Sequence, residues 1–149
     1  MNDDQIWMRF AIEEAIIAES KGEVPVGAVL VKDNSIIARG RNESIANNDA
    51  TAHAELNLLK SAGKKLQNYR LNQTTIYSTL EPCAMCYGAM VHARVERLVF
   101  GAYDKKTGVC GSCSDLRDAN FFNHRIIVDG GILLKENQNI LKSFFEKLR

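Results

Sequence analysis

Two short stretches of this sequence carry the residue types that a catalytic metal site needs. Thr51 begins the run Thr-Ala-His-Ala-Glu, and the run Glu-Pro-Cys-Ala-Met-Cys ends at Cys86. Zinc prefers nitrogen and thiolate sulfur in tetrahedral geometry, and three protein ligands leave a fourth position for water. The natural ligand set is therefore His53, Cys83 and Cys86, and Glu55 remains free to act as an acid and base.

Both stretches are predicted to lie at the start of a helix. Pro82 suits the first position of a helix, so Cys83 and Cys86, three residues apart, would share one face of the first turn. A helix N-terminus stabilises the thiolate form that binds a metal. His53 and Glu55, two residues apart, would lie about 200° apart on a regular helix. The ligand set therefore requires His53 to lie in a frayed first turn. Thr51 is a good cap residue, and we expect it to cap the helix that follows His53.

A metal with an open position and a nearby carboxylate suits hydrolysis. Zinc lowers the pKa of bound water towards neutrality, and Glu55 can carry the proton to a ring nitrogen and then to a departing amine. A lone His or a lone Cys pair has ordinary structural explanations. The joint order is more specific: it is His-x-Glu followed by Pro-Cys-x-x-Cys, with the Glu outside the ligand set. This is the signature of zinc-dependent nucleobase deaminases. The joint pattern therefore predicts hydrolytic deamination of an amino-heterocycle.

These motifs and their flanks resemble one family of the cytidine-deaminase-like superfamily, the bacterial tRNA-specific adenosine deaminases. The likeness includes both metal-binding runs and Asn123-His124-Arg125. It extends over nearly the whole chain, from Trp7-Met8-Arg9 through Val24-Pro25-Val26-Gly27-Ala28-Val29 to Phe144-Phe145. Because the zinc motif is shared by the whole superfamily, the narrower assignment depends on the flanking stretches. A deaminase of a free nucleoside or base, such as cytidine or guanine, would share the metal site and is the alternative enzyme.

The resemblance implies a fold, a reaction and an assembly. The fold is a three-layer α/β/α sandwich with a mixed five-stranded sheet. The reaction is conversion of adenosine to inosine at the wobble position of a tRNA anticodon loop, with one Zn²⁺ per subunit. The assembly is a homodimer, and apolar residues around the Cys helix, Met85, Met90 and Val91, would suit either an interface or a core.

The resemblance also implies contacts to the substrate outside the metal ligands. Asn42 lies in the loop before the His run and by resemblance contacts the nucleoside. Independently of the resemblance, we expect Val26 and Leu80 to be apolar walls around the base. Proteins commonly recognise RNA through single-stranded bases that are splayed out of their stack. Loop residues expected to contact the substrate nucleotides are Asp104, Lys106 and Asn123.

The last predicted helix adds two aromatic residues and a basic end. Phe144 and Phe145 are adjacent and cannot share a helix face, so one is expected in the core and the other beside a loop base. Lys142, Lys147 and Arg149 could reach phosphate, although favourable interaction with the helix dipole explains the same charges.

Cys110 and Cys113 form a second Cys-x-x-Cys pair and leave open a non-enzymatic interpretation, a structural zinc ribbon with four cysteine ligands. That interpretation would remove His53 from the metal. The entry from Pro82 into a helix argues against it, because ribbon cysteines favour knuckle turns, and the family pattern calls for no cysteines at these two positions. We expect Cys110 and Cys113 to be free thiols in a loop of small residues.

Composition limits where such a protein works and what it binds. The 149 residues suit a single domain, 1–149, that buries roughly two thirds of its unfolded surface. Nineteen basic and eighteen acidic residues give a net charge of +1, so RNA binding would need a local basic surface. No signal peptide or membrane span is expected. Four cysteines without a secretion signal favour a reducing compartment, the cytoplasm.

Hydrophobic patterning predicts the elements that must position the motifs. Helices are predicted at 5–20, from the His run to 63, after Pro82, and at 135–148. Strands are predicted at 24–31, 36–38, 75–80, 95–101 and 125–128, the first two joined by a turn at 32–35. This order predicts a mixed five-stranded sheet between helical layers. Both metal-binding runs follow the sheet at the end where α/β proteins bind ligands.

Overall fold

The computed structural model describes residues 2–148, which form a mixed sheet covered by helices on both faces. The strands are β1 (Gly27–Lys32), β2 (Ser35–Arg41), β3 (Thr75–Leu80), β4 (Arg97–Ala102) and β5 (Ile127–Asp129). The helices are α1 (Asp3–Ser20), α2 (Ala54–Leu66), α3 (Ala84–His92) and α4 (Leu134–Lys147). The strand order is β2-β1-β3-β4-β5. β1 is antiparallel to both neighbours, whereas β3, β4 and β5 are parallel, so the predicted mixed five-stranded sheet is confirmed.

The two faces of the sheet pack against different helices, because successive strand residues point to opposite sides. On one face α1 covers the sheet, and α4 lies beside it over β4. The core there contains Met8, Ala11, Val29, Val31, Tyr77 and Val99. On the other face α2 and α3 cover a larger core, which includes Leu30, Leu58, Ile76, Tyr87, Met90, Leu98 and Phe100. The three-layer α/β/α arrangement is thus confirmed.

The β1–β2 hairpin sets the position of the loop that follows it. Asp33 and Asn34 form the turn with φ of 51° and 59°, as a two-residue type I′ turn requires. The register that results pairs the start of β1 with the end of β2. It brings the first residue after β2, Asn42, beside Val26, whose carbonyl accepts from the Asn42 amide at 3.1 Å.

Two glycines allow helices to lie directly on this hairpin. A side chain at Gly27 would collide with the α1 backbone at Ala11 and Ala15. A side chain at Gly40 would collide with the α2 backbone at Ala54. Because Ala54 is the first residue of α2, the contact at Gly40 fixes where that helix starts.

All the predicted elements are present, and their ends differ by a few residues. β3 has the predicted bounds, while the first strand begins at Gly27 and not at Val24. Residues 24–26 are left out of the ladder because Val26 instead donates to the Val24 carbonyl at 2.8 Å. No helix within residues 2–148 combines the length and apolar character that crossing a membrane would require.

An ion-pair network joins the first turn of α1 to the first residue of β4 and the last residue of β5. Arg97 donates to both carboxylate oxygens of Asp4, each at 2.8 Å. It also donates to Asp129 at 2.9 and 3.0 Å. The Tyr77 hydroxyl donates to Asp4 at 2.8 Å. Hydrogen bonding to Arg97 lowers the pKa of Asp4 below its ordinary value of 3.8.

Replacing Asp4 by Asn is expected to lower the free energy of unfolding by about 1–2 kcal/mol at pH 7, because charge-assisted hydrogen bonds to Arg97 are lost. The folded-state pKa of Asp4 is depressed, so this stabilisation is complete above the unfolded pKa and is lost as pH falls through the folded pKa. Urea unfolding of both proteins at pH 7 and pH 3 measures the difference. A difference equally large at both pH values would show that the charge of Asp4 is not its source.

Candidate active site

The three proposed metal ligands lie at the starts of α2 and α3. His53 is the extended residue just before α2, with φ −74° and ψ 154°. Cys83 has the corresponding position before α3, with φ −78° and ψ 174°, and Cys86 is buried in the first turn of α3. Because His53 lies outside the regular helix, the helical spacing that would separate it from Glu55 does not apply.

The prediction that Pro82 occupies the first helical position is wrong, because α3 begins at Ala84. Pro82 belongs to the short segment that links β3 to α3. Its carbonyl accepts a hydrogen bond from the Val109 amide at 3.1 Å. Cys83 therefore precedes α3 as its N-cap residue, and Cys83 and Cys86 do not share a helix face. They converge because the chain at an N-cap residue turns back over the first turn of the helix.

The ligand atoms have the spacing of a tetrahedral zinc site. His53 Nδ1 is 3.5 Å from Cys86 Sγ and 3.7 Å from Cys83 Sγ. All three ligand atoms lie within 4.8 Å of one another. Bonds of about 2.0 Å to nitrogen and about 2.3 Å to sulfur at tetrahedral angles would separate nitrogen from sulfur by about 3.5 Å. The donor set therefore fits a zinc ion bound through Nδ1 and two sulfurs.

Hydrogen bonding divides negative charge unequally between the two cysteines. The Cys86 thiol beside Cys83 lowers the pKa of Cys83 to about 5. The same contact, together with burial, raises the pKa of Cys86. One thiolate is thus stable in the protein alone, and a bound cation would favour the second because metals bind cysteine as thiolate.

Glu55 lies in the first turn of α2 and is separate from the ligand cluster. Its side chain is 4% exposed, and burial raises its pKa from 4.5 to about 7. A carboxyl group that titrates near neutral pH can both accept and release a proton under physiological conditions. Glu55 therefore has the properties of a general acid and base beside the metal ligands.

A cavity of about 210 Å³ opens over these groups. It is smaller than the roughly 300–1,000 Å³ of sites for drug-sized ligands, and it suits one base. The cavity joins the metal motif to four residues expected to contact substrate, namely Val26, Asn42, Leu80 and Asp104. The remaining lining residues are Val24, His53, Glu55, Glu81, Cys83 and Thr107.

Asn42 also holds the start of α2 in place. Its side-chain oxygen accepts from the Ala54 amide at 2.8 Å, so it serves as the cap from twelve residues earlier in the chain. The expectation that Thr51 caps this helix is wrong, because Thr51 instead donates to Asp49 at 2.7 and 2.8 Å. The residue expected to contact the nucleoside thus also positions the helix that follows His53.

Two further predicted contact residues lie in loops outside the cavity. Lys106 is exposed and adjoins the cavity through its backbone amide, which donates to the Asp104 carboxylate at 3.0 Å. Asn123 accepts from Arg94 at 3.1 Å and lines a second cavity of about 390 Å³ that also involves Phe121. The structure does not bring Lys106 or Asn123 to the metal motif.

The aromatic pair of α4 is divided between core and surface. Phe144 is 8% exposed and Phe145 is 45% exposed, and their rings meet edge to face at 5.3 Å. Neither ring lines the cavity over the metal motif. Arg149 lies outside the residues that the structure describes.

Three cavity residues were not proposed as site residues from the sequence. Val24 was assigned to a strand, and Thr107 lies in a loop that has no periodic pattern. Glu81 had a usable signal, since a carboxylate at the carboxyl end of a central strand, just before the Pro-Cys run, lies where α/β proteins bind ligands.

The second cysteine pair lies apart from the metal motif. Cys110 is 3% exposed, and burial raises its pKa to about 12, which makes it an inert thiol. Cys113 is exposed. The cluster of potential ligands contains Cys83 and Cys86 but neither of these two residues, so the structure does not assemble a four-cysteine ribbon.

The chain is similar to deaminases along its whole length. The MafB19-like deaminase family model matches residues 2–149. A tRNA-specific adenosine deaminase of Haemophilus influenzae is 50% identical over 147 residues, which cover 98% of this chain and 85% of that protein. A tRNA-specific adenosine deaminase of Bacillus subtilis is 46% identical and covers 100% of this chain and 92% of its own. A solved structure from studies of A-to-I editing by tRNA:A34 deaminases at the wobble position has a TM-score of 0.86 at 40% identity, covering 91% of this chain and 98% of that one.

Proposed function

This chain belongs to the tRNA-specific adenosine deaminases, and we propose that it converts adenosine to inosine at the wobble position of a tRNA anticodon loop. The observation that carries the chemistry is the buried carboxyl group of Glu55 on the same cavity as His53 and Cys83. The choice of tRNA as substrate is supported by similarity over 98% of the chain.

The proposed metal is zinc, one ion per subunit, held by His53, Cys83 and Cys86. One imidazole nitrogen and two sulfurs at the observed spacing suit zinc better than the oxygen-seeking cations Mg²⁺ and Ca²⁺. When bound, zinc supplies a water molecule of lowered pKa as the nucleophile.

Glu55 would move the protons of the reaction. Its carboxylate accepts a proton from the attacking water and delivers it to N1 of adenine, and a second proton reaches the departing 6-amino group. One water is consumed and one ammonia is released, so adenosine and water give inosine and ammonia. A pKa of about 7 allows Glu55 to accept and to return these protons in turn.

The cavity residues would hold the base outside its stack. Val26 and Leu80 supply apolar walls and Asn42 supplies an amide for the nucleoside, all on the cavity that contains Glu55. An enzyme that acts on a base must take it out of the stack, and the loop of a hairpin reduces that cost. Asp104 lies at the cavity wall, and we propose that it contacts a nucleotide that flanks the reacting one.

Residues farther out would contact the rest of the anticodon loop. Lys106 and Asn123 are proposed to contact neighbouring nucleotides, and Arg149 to contact phosphate. Phe145 is the exposed ring of its pair and would stack beside a loop base, with Phe144 supporting it from the core.

The proposed function predicts inosine formation from an anticodon stem-loop that carries adenosine at the wobble position. Mass spectrometry of the nucleosides after reaction measures the product directly. Free adenosine, cytidine and guanine are expected to react far more slowly, because they lack the flanking nucleotides that the outer residues bind. A zinc-loaded protein that deaminates a free nucleoside or base and leaves the stem-loop unchanged would favour the alternative enzyme.

A homodimer is proposed as the working assembly. A groove of about 940 Å³ runs between α2 and α3 and is mostly apolar, with Leu56, Leu59 and Ala89 in its lining. Two residues considered for the interface, Met90 and Val91, are instead 0% and 3% exposed in the core. A second copy of the chain would cover the groove, and sedimentation that shows only monomer across a concentration series would oppose this.

We place this activity in the cytoplasm, in a single deaminase domain that covers residues 1–149. The four cysteines form no disulfide with one another, as is usual in a reducing compartment, and the strands around the site belong to one continuous sheet. Cell fractionation that located the protein in an oxidising compartment would contradict the placement.

A further inference from the structure

The carboxyl group of Glu81 is buried between the end of β3 and the loop 104–112. Glu81 is only 2% exposed to solvent. One carboxylate oxygen accepts from the Asp104 amide at 3.0 Å and from the Ser112 hydroxyl. The other accepts from the Cys110 amide at 2.8 Å and from the Ser112 amide at 3.3 Å. Glu81 therefore holds both ends of the loop.

This loop forms part of the wall of the cavity over the metal motif. Asp104 and Thr107 both line that cavity. The Asp104 carboxylate accepts from the Thr107 amide at 3.2 Å and from its hydroxyl at 3.0 Å. Gly108 lies against the Glu81 carboxyl group so closely that a side chain there would collide with it. The cavity wall is thus folded around one buried carboxylate.

The chemistry of the contact requires a carboxylate. Four donors converge on two oxygens, and an ionised carboxylate has only acceptors to offer. Glutamine has the same shape, but its NH₂ group would face at least one backbone N–H of Asp104, Cys110 or Ser112 in either orientation. A buried donor left without an acceptor destabilises its local structure, so the loop would move.

We propose that Glu81 is a positioning residue that fixes the loop 104–112, so that Asp104 and Thr107 form the cavity wall towards the nucleotides beside the reacting adenosine. The role deepens the proposed function and rests on it. Because Glu81 acts through the loop and not on the metal or on the base, its loss affects binding of the stem-loop more than the chemical step.

The test is Glu81→Gln in the full-length, zinc-loaded protein. We expect an unchanged zinc-to-protein ratio and faster hydrogen exchange at the amides of Asp104, Cys110 and Ser112. KM for the stem-loop should rise about 10-fold to 100-fold, as expected when hydrogen bonds to a binding group are lost, with a much smaller change in kcat. Ser112→Ala removes one of the four hydrogen bonds and should give the same changes at smaller size if Glu81→Gln folds poorly.

The matched control is Asp4→Asn, which loses a part-buried carboxylate at the opposite end of the strands. It should lower stability and leave both KM and exchange in the loop 104–112 unchanged. Unchanged exchange in the Glu81 and Ser112 variants, or loss of zinc from them, would overturn the role of Glu81. Absence of inosine with the unaltered protein would instead overturn the proposed function, and the exchange measurement would still decide whether Glu81 holds the loop.

Discussion

Replacing Glu55 by Gln is expected to lower kcat for inosine formation by about 10²- to 10⁴-fold, the usual contribution of a general acid and base. Glutamine has nearly the same shape but cannot carry a proton. The buried carboxyl group has a pKa raised by desolvation, so the neutral amide is not expected to reduce the free energy of unfolding. Zinc content should also stay the same, because Glu55 is outside the ligand cluster.

Single-turnover assays with the stem-loop, together with mass spectrometry of bound metal, separate the two roles that Glu55 could have. A variant that loses zinc would show that Glu55 is a ligand. A variant that keeps zinc and full activity would remove Glu55 from the mechanism. The matched control is Glu13→Gln, because the Glu13 side chain is 61% exposed and lies on α1, on the opposite face of the sheet from α2. Its activity should be unchanged.

Replacing Cys86 by Ser is expected to reduce zinc from one ion per subunit to almost none and to abolish deamination. Hydroxyl oxygen is a much poorer zinc ligand than thiolate, and Cys86 Sγ is one of three donors in the cluster. The melting temperature of the zinc-loaded protein should fall as well, because the free energy of metal binding adds to that of folding.

The other cysteine pair supplies the control for this experiment. A Cys110→Ala, Cys113→Ser double variant should keep its zinc and its activity, because neither residue joins the ligand cluster. Alanine is chosen at position 110 because that side chain is buried. Loss of zinc from the double variant as well as from the Cys86 variant would restore the four-cysteine interpretation and end the catalytic one.

Strong local patterns made much of the fold predictable. The run 75–80 was predicted as a strand and is β3 with the same bounds, and the order of elements was enough to predict the mixed sheet. The family resemblance is confirmed by relatives that share up to 50% of their residues with this chain. The prediction that the substrate is adenosine in tRNA rested on that resemblance alone, because a net charge of +1 gives no indication of RNA binding.

The predictions that the structure contradicts, or that the sequence could not make, share one physical cause. In each case a tertiary contact outweighs the local preference of the residue. Pro82 suits a helix start, but it also suits the extended segment before an N-cap residue, and pairing of its carbonyl with Val109 selects the second. Thr51 is a good cap by type, yet the Asn42 side chain, just after β2, accepts from the first amide of α2 instead. The partners of Glu81 lie 23 to 31 residues away, beyond the range of any local pattern.

The seating of α1 and α2 on the backbone of the hairpin limits how an enzyme of this kind can acquire a new substrate. Positions 27 and 40 accept no side chain because helix backbone already occupies that space. Substitutions at these two positions therefore cannot change the shape of the pocket, either in natural evolution or in directed evolution. Sequence change is left to the loops beyond the strands. Libraries aimed at altered selectivity should therefore randomise the loop segments 43–51 and 105–107 and leave Gly27, Gly40 and Gly108 untouched.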